Sequence, residues 1–531
     1  MREDRTLDRS THARTHSPRP SAEERVAAEL DEVRPGLGAP YAAALGGARA
    51  AVLTRLWRAL AFEPLPWVER RESGPDHLVV FTTGGGRLEG PPPDPYATDE
   101  GVTELRLDGR AHRRADRLIE ALGVPHGAAF AAELDHSTAS LALSRAGQPR
   151  EEPDDAPRTG WQWEQRVVDG HPYHPNCRSR PGFSVAEQLA YAPEHRPLVE
   201  LATVAVDTDE CLSTGVWPDR LRDGNHILIP VHPWQAEHVL KGPGVGRPGG
   251  PGITAHPLMA LRTLAPAGGG AHVKTALSTR LTSSVRDISV ASIETAAVLS
   301  DFAQVLCERL DGRLHVTRTL GAVTAHSPDL AAVLREPPEA YAGPGESVVP
   351  VAALAGTTTV RSAPWRARFA RLVLSVCLEA LDLGVALEAH GQNLLVVLSP
   401  AGAPVRLVYR DLGDIRLSPA RLARHGLPVP AAAGRQLTDD VTALRRKVFG
   451  SAVAGALAAT AGSGRALGED LAQVDSLPPT ADSEALARGP LPVKALTLMR
   501  LSPGVSGDQW AELPHPIAGS GSRATGQGPR A

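Results

Sequence analysis

Three stretches of this sequence collect side chains able to handle anions. The first is Gly170-His171-Pro172-Tyr173-His174-Pro175, followed by Asn176-Cys177-Arg178-Ser179-Arg180. Its two prolines oppose helix and predict an extended segment, from which His171, Arg178 and Arg180 reach one anion. The same residues also fit a polar surface loop, and His171, His174 and Cys177 have the donor types of half a zinc site that lacks a second half. The second stretch runs from Lys274-Thr275 through Ser278, Arg280, Thr282, Ser283 and Ser284 to Arg286. Cations interleaved with hydroxyls suit a polyphosphate. The Walker A pattern is excluded, because Val273 stands where glycine must precede the Lys-Thr pair. The plain alternative is a basic strand edge entering a helix capped by Thr282 or Ser283. The third stretch is Glu388-Ala389-His390-Gly391-Gln392-Asn393, then a strand, a turn and a second strand ending at Arg410-Asp411. An Asn and an Asp on adjacent strands hold Mg²⁺ against phosphates in kinase-type sites. Such kinases place a catalytic Asp ahead of the Asn, and none stands between His390 and Asn393. Nucleotide and metal binding therefore fit, while hydroxyl-activating phosphotransfer loses support. His232-Pro233-Trp234-Gln235 and Gly84-Gly85-Gly86 are weaker signals of the same kind.

The elements that must position these residues are helices and strands in alternation. Ser21-Ala22-Glu23-Glu24 is a capping box opening a helix to Val33. Apolar periodicity predicts helices over 41–61, 111–122, 128–145, 288–310 and 365–383, the last stopped by Gly384, and two more over 438–449 and 451–461. Strands are expected over 77–82, 103–107, 198–206, 226–231, 273–278, 314–320, 393–398 and 405–409. The Gly/Pro stretch 242–252 reads as a loop joining subdomains. Residues 1–20 are polar and expected to be disordered, and the chain is expected to fray after Leu501.

Length and composition bound the rest. The chain has 531 residues, 42% apolar and 22% charged, with 56 Lys and Arg against 60 Asp and Glu. That is globular composition with material for several domains and no basic footprint for nucleic acid. No uninterrupted apolar run of 18 residues is present, so no membrane span is expected. The N-terminus lacks a secretory apolar core. Cys177, Cys211, Cys307 and Cys377 are scattered without a C-x-x-C pair, as befits reduced thiols in the cytoplasm.

Taken in order, Gly-His-Pro-x-His-Pro with its basic residues and Gly-Phe, His-Pro-Trp-Gln, Arg262-Thr263-Leu264, Lys-Thr…Thr-Ser-Ser-x-Arg, Glu-x-His-x-Gln-Asn and Arg-Asp resemble the IucA/IucC family. Its members are the siderophore synthetases that act independently of nonribosomal peptide synthetases. The motifs span roughly residues 160–415. The resemblance implies an α+β fold of hand-like form, with thumb, fingers and palm around a central ATP cleft. Here these would be a thumb over 21–155, fingers over 156–355 and a palm over 356–502, with tails at 1–20 and 503–531. It implies an enzyme that uses ATP and Mg²⁺ to adenylate a carboxylate, citrate or a related polycarboxylate, which an amine or hydroxyl then attacks with release of AMP. A homodimer is implied as well, and partners that are small molecules only, not nucleic acid or membrane. By motif, Arg286, His390, His171 and Lys274 would be catalytic. Lys274, Thr282, Ser283, Arg286, Gln392, Asn393 and Arg262 would hold the nucleotide. His171, Arg178, Arg180, Thr282, Arg286 and His390 would hold the substrate, and Asp411 with Glu388 the metal. Two positions depart from the family pattern: Arg178 stands for a lysine and Ala260 for a serine. His390 stands open to two roles, carboxylate ligand or proton acceptor for the amine. A kinase-like phosphotransferase and a catalytically silent scaffold are the competing readings.

Overall fold

The computed structural model describes residues 20–99, 101–149, 157, 159–241, 247–281, 284–431 and 433–516. Four helices, Ala22–Val33, Gly38–Phe62, Ala115–Leu122 and Gly127–Ala146, pack with a five-stranded antiparallel meander, Val68–Ser73 to Arg110–His112. The capping box at Ser21 forms as expected. The second half of Gly38–Phe62 is buried almost all round, packed on helix Gly127–Ala146, with Trp57 set against Gly90. A Cβ on Gly90 would stand 2.4 Å from Leu105 and 2.8 Å from the Trp57 ring. Residues 110–112 form a strand, so the helix expected from 111 begins only at Ala115.

The central layer is a nine-stranded, wholly antiparallel sheet. At its middle, Leu330–Arg335, His272–Thr275, Thr263–Pro266, Arg247–Pro257 and Val199–Asp207 lie side by side. The expected loop over 242–252 is corrected here. Residues 247–257 are a bulged strand on Val199–Asp207, and residues 242–246 lie outside the described residues. The glycines serve close approach: a Cβ on Gly252 would meet Glu200 Oε1 at 2.2 Å. Helix Val290–Arg309 is long and apolar enough to cross a bilayer by length and composition alone. It is a core helix here, with Ile293, Leu299, Phe302 and Leu306 buried.

The third layer sets helix Ala363–Asp382 against a four-stranded sheet ordered Leu314–Val316, Pro404–Tyr409, Leu394–Leu398, Ser347–Pro350. Gly384 ends that helix region at φ 103°, and a Cβ there would press on the Leu422 backbone N at 2.9 Å. The two helices expected over 438–461 form one continuous run, Val441–Ala461, whose middle, Phe449–Leu457, is a π-helix. Fraying after Leu501 is also corrected. Trp510–Leu513 pairs antiparallel with Leu491–Lys494, and Leu513 is fully buried. The remaining tail, 517–531, and residues 1–19 lie outside the described residues.

Candidate active site

The layers enclose a cavity of about 1050 Å³. Thirteen Arg and Lys side chains line it against six Asp and Glu, in a chain whose formal charge is −4. Such a surplus selects for anionic ligands.

One wall is the central sheet. Thr263 pairs with Lys274, and Lys274 with Val333, so Arg335 lies diagonally beside Lys274 on the same face. Opposite them stands Asp411, just past the strand Pro404–Tyr409. Its carboxylate accepts from Lys274 Nζ at 2.7 Å and Arg335 Nη2 at 3.2 Å. Its backbone is left-handed, φ 74°, a conformation that non-glycine residues adopt at a cost and that recurs at functional sites. Burial would raise the Asp411 pKa, but Lys274 and Arg335 outweigh it and hold it well below the ordinary range. Burial pushes Lys274 down to about 8 despite Asp411. Arg286, at the end of the strand Ser284–Arg286, lines the same cavity. Its guanidinium makes no hydrogen bond or close ion pair among the described residues.

His390, Gln392 and Asn393 form a tight turn, with the Asn393 and Leu394 N–H groups donating to His390 O. His390 Nδ1 accepts the Gln392 N–H at 3.2 Å, and His171 Nδ1 accepts the Tyr173 N–H at 3.2 Å. Both rings, when neutral, therefore carry their proton on Nε2. Desolvation lowers both pKa values, so the neutral form prevails.

Of the residues expected at the site, His171, Arg178, Arg180, Arg262, Lys274, Arg286, Glu388, His390, Gln392, Asn393 and Asp411 all line the cavity. Thr282 and Ser283 lie outside the described residues. Four expectations change in detail. The segment 171–180 is a chain of turns, not extended: His174 N–H donates to His171 O, Cys177 to His174 O and Ser179 to Asn176 O. Arg178 and Arg180 are buried and committed to Glu194, at 3.4 and 2.7 Å, so they brace the loop instead of meeting ligand first. Arg262 donates to the backbone oxygens of Arg286 and Asp287, which fixes the loop carrying Arg286. Glu388 carries two lysines, since Lys447 and Lys494 both donate to its Oε1, at 3.0 and 2.9 Å, which leaves Oε2 as its open oxygen among the described residues. Arg410, beside Asp411 in the chain, turns away from it. It reaches buried Glu164 at 2.7 Å, while Glu164 also accepts the Met259 N–H at 2.9 Å.

Arg335, Lys447 and Lys494 had not been foreseen. A signal existed only for Arg335, the cation ending the apolar run Leu330-Ala-Ala-Val-Leu334. No cluster of possible metal ligands forms around Asp411 among the described residues; one does at the surface, Glu187, Glu237 and His238.

Comparison with known proteins bears on the class. Residues 159–356 match the model of the IucA / IucC family. Residues 363–471 match the family described as ferric iron reductase FhuF-like transporter. The chain is 26% identical over 327 residues to 2-[(L-alanin-3-ylcarbamoyl)methyl]-3-(2-aminoethylcarbamoyl)-2-hydroxypropanoate synthase of Staphylococcus aureus, covering 49% of this chain and 53% of that one. To aerobactin synthase of Escherichia coli it is 27% identical over 323 residues, 48% of this chain and 55% of the other. The chain thus spans about half the length of the curated relatives it matches. The petrobactin biosynthesis protein AsbB of Bacillus anthracis superposes with a TM-score of 0.74 at 17% identity, covering 91% of this chain and 98% of that one. The ATP-bound aerobactin synthetase IucA of Klebsiella pneumoniae gives 0.70 at 21% identity, with 89% and 99% covered. These likenesses establish the fold, an α+β architecture of mixed helix and strand.

Proposed function

We propose that the protein is an ATP-dependent, AMP-forming ligase of siderophore biosynthesis, joining a polycarboxylate such as citrate to an amine or hydroxyl. The observation that carries the reading is Arg286, a cation without a partner among the described residues, facing the Lys274–Asp411–Arg335 cluster in a cavity with a surplus of positive charge. The relatives' names, which include synthases of citrate-derived amides, support the substrate class.

In the first step a carboxylate oxygen attacks the α-phosphorus and pyrophosphate leaves. Negative charge grows on the phosphate oxygens, where Lys274 and Arg286 stabilise it from fixed positions. In the second step the amine attacks the acyl carbon, AMP departs and the amine gives up a proton. His171 and His390, with Nε2–H, donate to carboxylate oxygens and hold the acid for attack. The tautomer disfavours His390 as the proton acceptor, because its Nδ1 lone pair is engaged by Gln392. Gln392 and Asn393 face the nucleotide. Asp411 fits Mg²⁺ as a single carboxylate, since Lys274 and Arg335 leave each of its oxygens a further lone pair. The ion would supply charge neutralisation for the phosphates. Glu388, neutralised by two lysines, offers no base ahead of Asn393, which weighs against a phosphotransferase. A hand-like division at 21–155, 156–355 and 356–502, a homodimer and a cytoplasmic location belong to the same reading.

The test is to supply ATP, Mg²⁺ and a panel of carboxylic acids, then an amine. Pyrophosphate released only with acid, and AMP once amine is added, is the expected result. ADP as the nucleotide product would overturn it.

A further inference from the structure

Helix Gly38–Phe62 sends two arginines to the cavity wall, Arg55 and Arg58. Three residues apart, they lie on one helical face. Both are more than nine-tenths buried, and neither has an ion-pair partner among the described residues. Among the described residues Arg55 Nη1 meets only the Asp169 backbone oxygen at 3.3 Å and Cys177 Sγ at 3.2 Å. Arg58 Nε donates to Pro95 O, its guanidinium lies 4.3 Å over the Tyr173 ring, and its Nη2 has no hydrogen-bond partner among the described residues. The nearby acids are occupied. Asp169 gives its carboxylate to Arg145 at 2.8 Å. Glu63 accepts the Thr497 and Leu498 N–H groups, and Asp94 those of Tyr96 and Gly464.

Asp169 acts on Arg55, and Glu63 and Asp94 on Arg58, only from beyond ion-pair distance, and two buried cations without a close counter-charge among the described residues are costly unless something fills the gap. The gap opens into the cleft beside His171, which feels the charge of both arginines. His174 senses Arg55 and Arg286 together, so the pair and Arg286 flank the same region.

We infer that Arg55 and Arg58 form a carboxylate-binding subsite on the cleft wall contributed by the N-terminal helix. It receives a carboxylate that takes no part in the reaction, from the acid being activated or from an amino-acid nucleophile. Neither arginine belongs to the motifs that carry the family likeness. The inference deepens the ligase reading, but it is a statement about binding and is tested without turnover.

The experiment is calorimetry and thermal shift on the full chain, comparing parent, R55M, R58M, R55M/R58M and R58K. The probes are citrate against 2-hydroxy-2-methylpropanoate, which keeps one carboxylate, and lysine against cadaverine, which lacks it, with ATP as control. Loss of a charge-assisted contact predicts roughly tenfold to 10²-fold weaker binding per arginine. If the carboxylate comes from the acid, citrate affinity falls in the methionine variants while the monocarboxylate is unaffected. If it comes from the amine partner, the preference for lysine over cadaverine disappears while citrate is unaffected. Either result supports the subsite, and ATP affinity stays within about twofold. R58K should retain part of the affinity, since charge remains without the fork. The methionine variants should melt no lower than the ligand-free parent, because an unpaired buried charge is removed. Parent-like carboxylate affinity in R55M/R58M overturns the inference. So does a ligand-free double variant that melts far below the parent, which marks the arginines as structural. If the parent binds carboxylate through these residues yet releases no pyrophosphate, the ligase reading fails and the subsite stands.

Discussion

Replacing Asp411 with asparagine keeps its shape and removes its charge. Lys274, at 2.7 Å, then loses the group that favours its ammonium form, while Arg262 and Arg335 still oppose it. Two unit charges about 4 Å apart interact by ~4 kcal/mol at an effective dielectric of ~20. Water in the cleft screens this, because Asp411 is 32% exposed against 13% for Lys274. A remainder of ~1–2 kcal/mol moves a pKa by about one unit. The sign is fixed by the charge removed: Asp411 raises the Lys274 pKa, so its loss lowers it. Lys274 sits at about 8 in the parent, and should titrate near ~7 in D411N. ATP affinity followed by a fluorescent nucleotide analogue across pH 6–9 reads this directly. In the parent, affinity should decline as pH rises through about 8. In the variant the decline should begin about one unit earlier. Identical alkaline midpoints would show that Lys274 is not held in its charged form by Asp411, or that its charge does not matter to nucleotide.

R286A should lower kcat/KM for pyrophosphate release by roughly 10²-fold or more, the scale of one lost charge-stabilising donor; R286K should rescue it only in part, and near-parental turnover in both removes Arg286 from the site. E194Q leaves Arg178 and Arg180 buried against a neutral amide, and by analogy with broken buried ion pairs should cost ~3–5 kcal/mol in chemical denaturation. Burial would raise the Glu194 pKa, but the two arginines hold it far below the ordinary range. Its stabilisation is therefore present above the unfolded value, about pH 4.3, and is lost as pH falls below it. E194Q should flatten that acid limb, and an unchanged limb would count against the pair.

Much of the site was legible because its residues come in runs. Lys274, Arg286, His390, Asn393 and Asp411 sit in short motifs whose order carries more information than any single residue, and all face the cavity. The contact of Arg178 and Arg180 with Glu194 was not legible for a physical reason: an arginine for a ligand and an arginine for a buried glutamate are the same letter, and Glu194 lies outside the motif. Lys447 and Lys494 were invisible because one ends an ordinary basic helix turn, Arg445-Arg446-Lys447, and the other a four-residue strand, and only tertiary packing brings them onto Glu388. The Gly/Pro composition of 247–252 marks loops in general, yet there it answers the crowding of Glu200 and Leu228 beneath a bulged strand. The long helices survived translation into structure, since a sustained apolar stripe is a strong signal. Trp510–Leu513 did not, because four residues between polar turns carry almost none.

The last described strand has a consequence for how the molecule is made. Glu63, near the end of the second helix, is capped by the N–H of Leu498, 435 residues further along. Tyr96 donates its hydroxyl to Pro514 O across 418 residues. During synthesis the N-terminal helices emerge early, but this carboxyl and this phenol wait without partners until nearly the whole chain has left the ribosome. Closure of such long loops is slow and leaves apolar surface open meanwhile. The N-terminal region therefore stays without these partners for most of synthesis, and a ribosome stalled before residue 494 holds a chain whose cleft lacks Lys494.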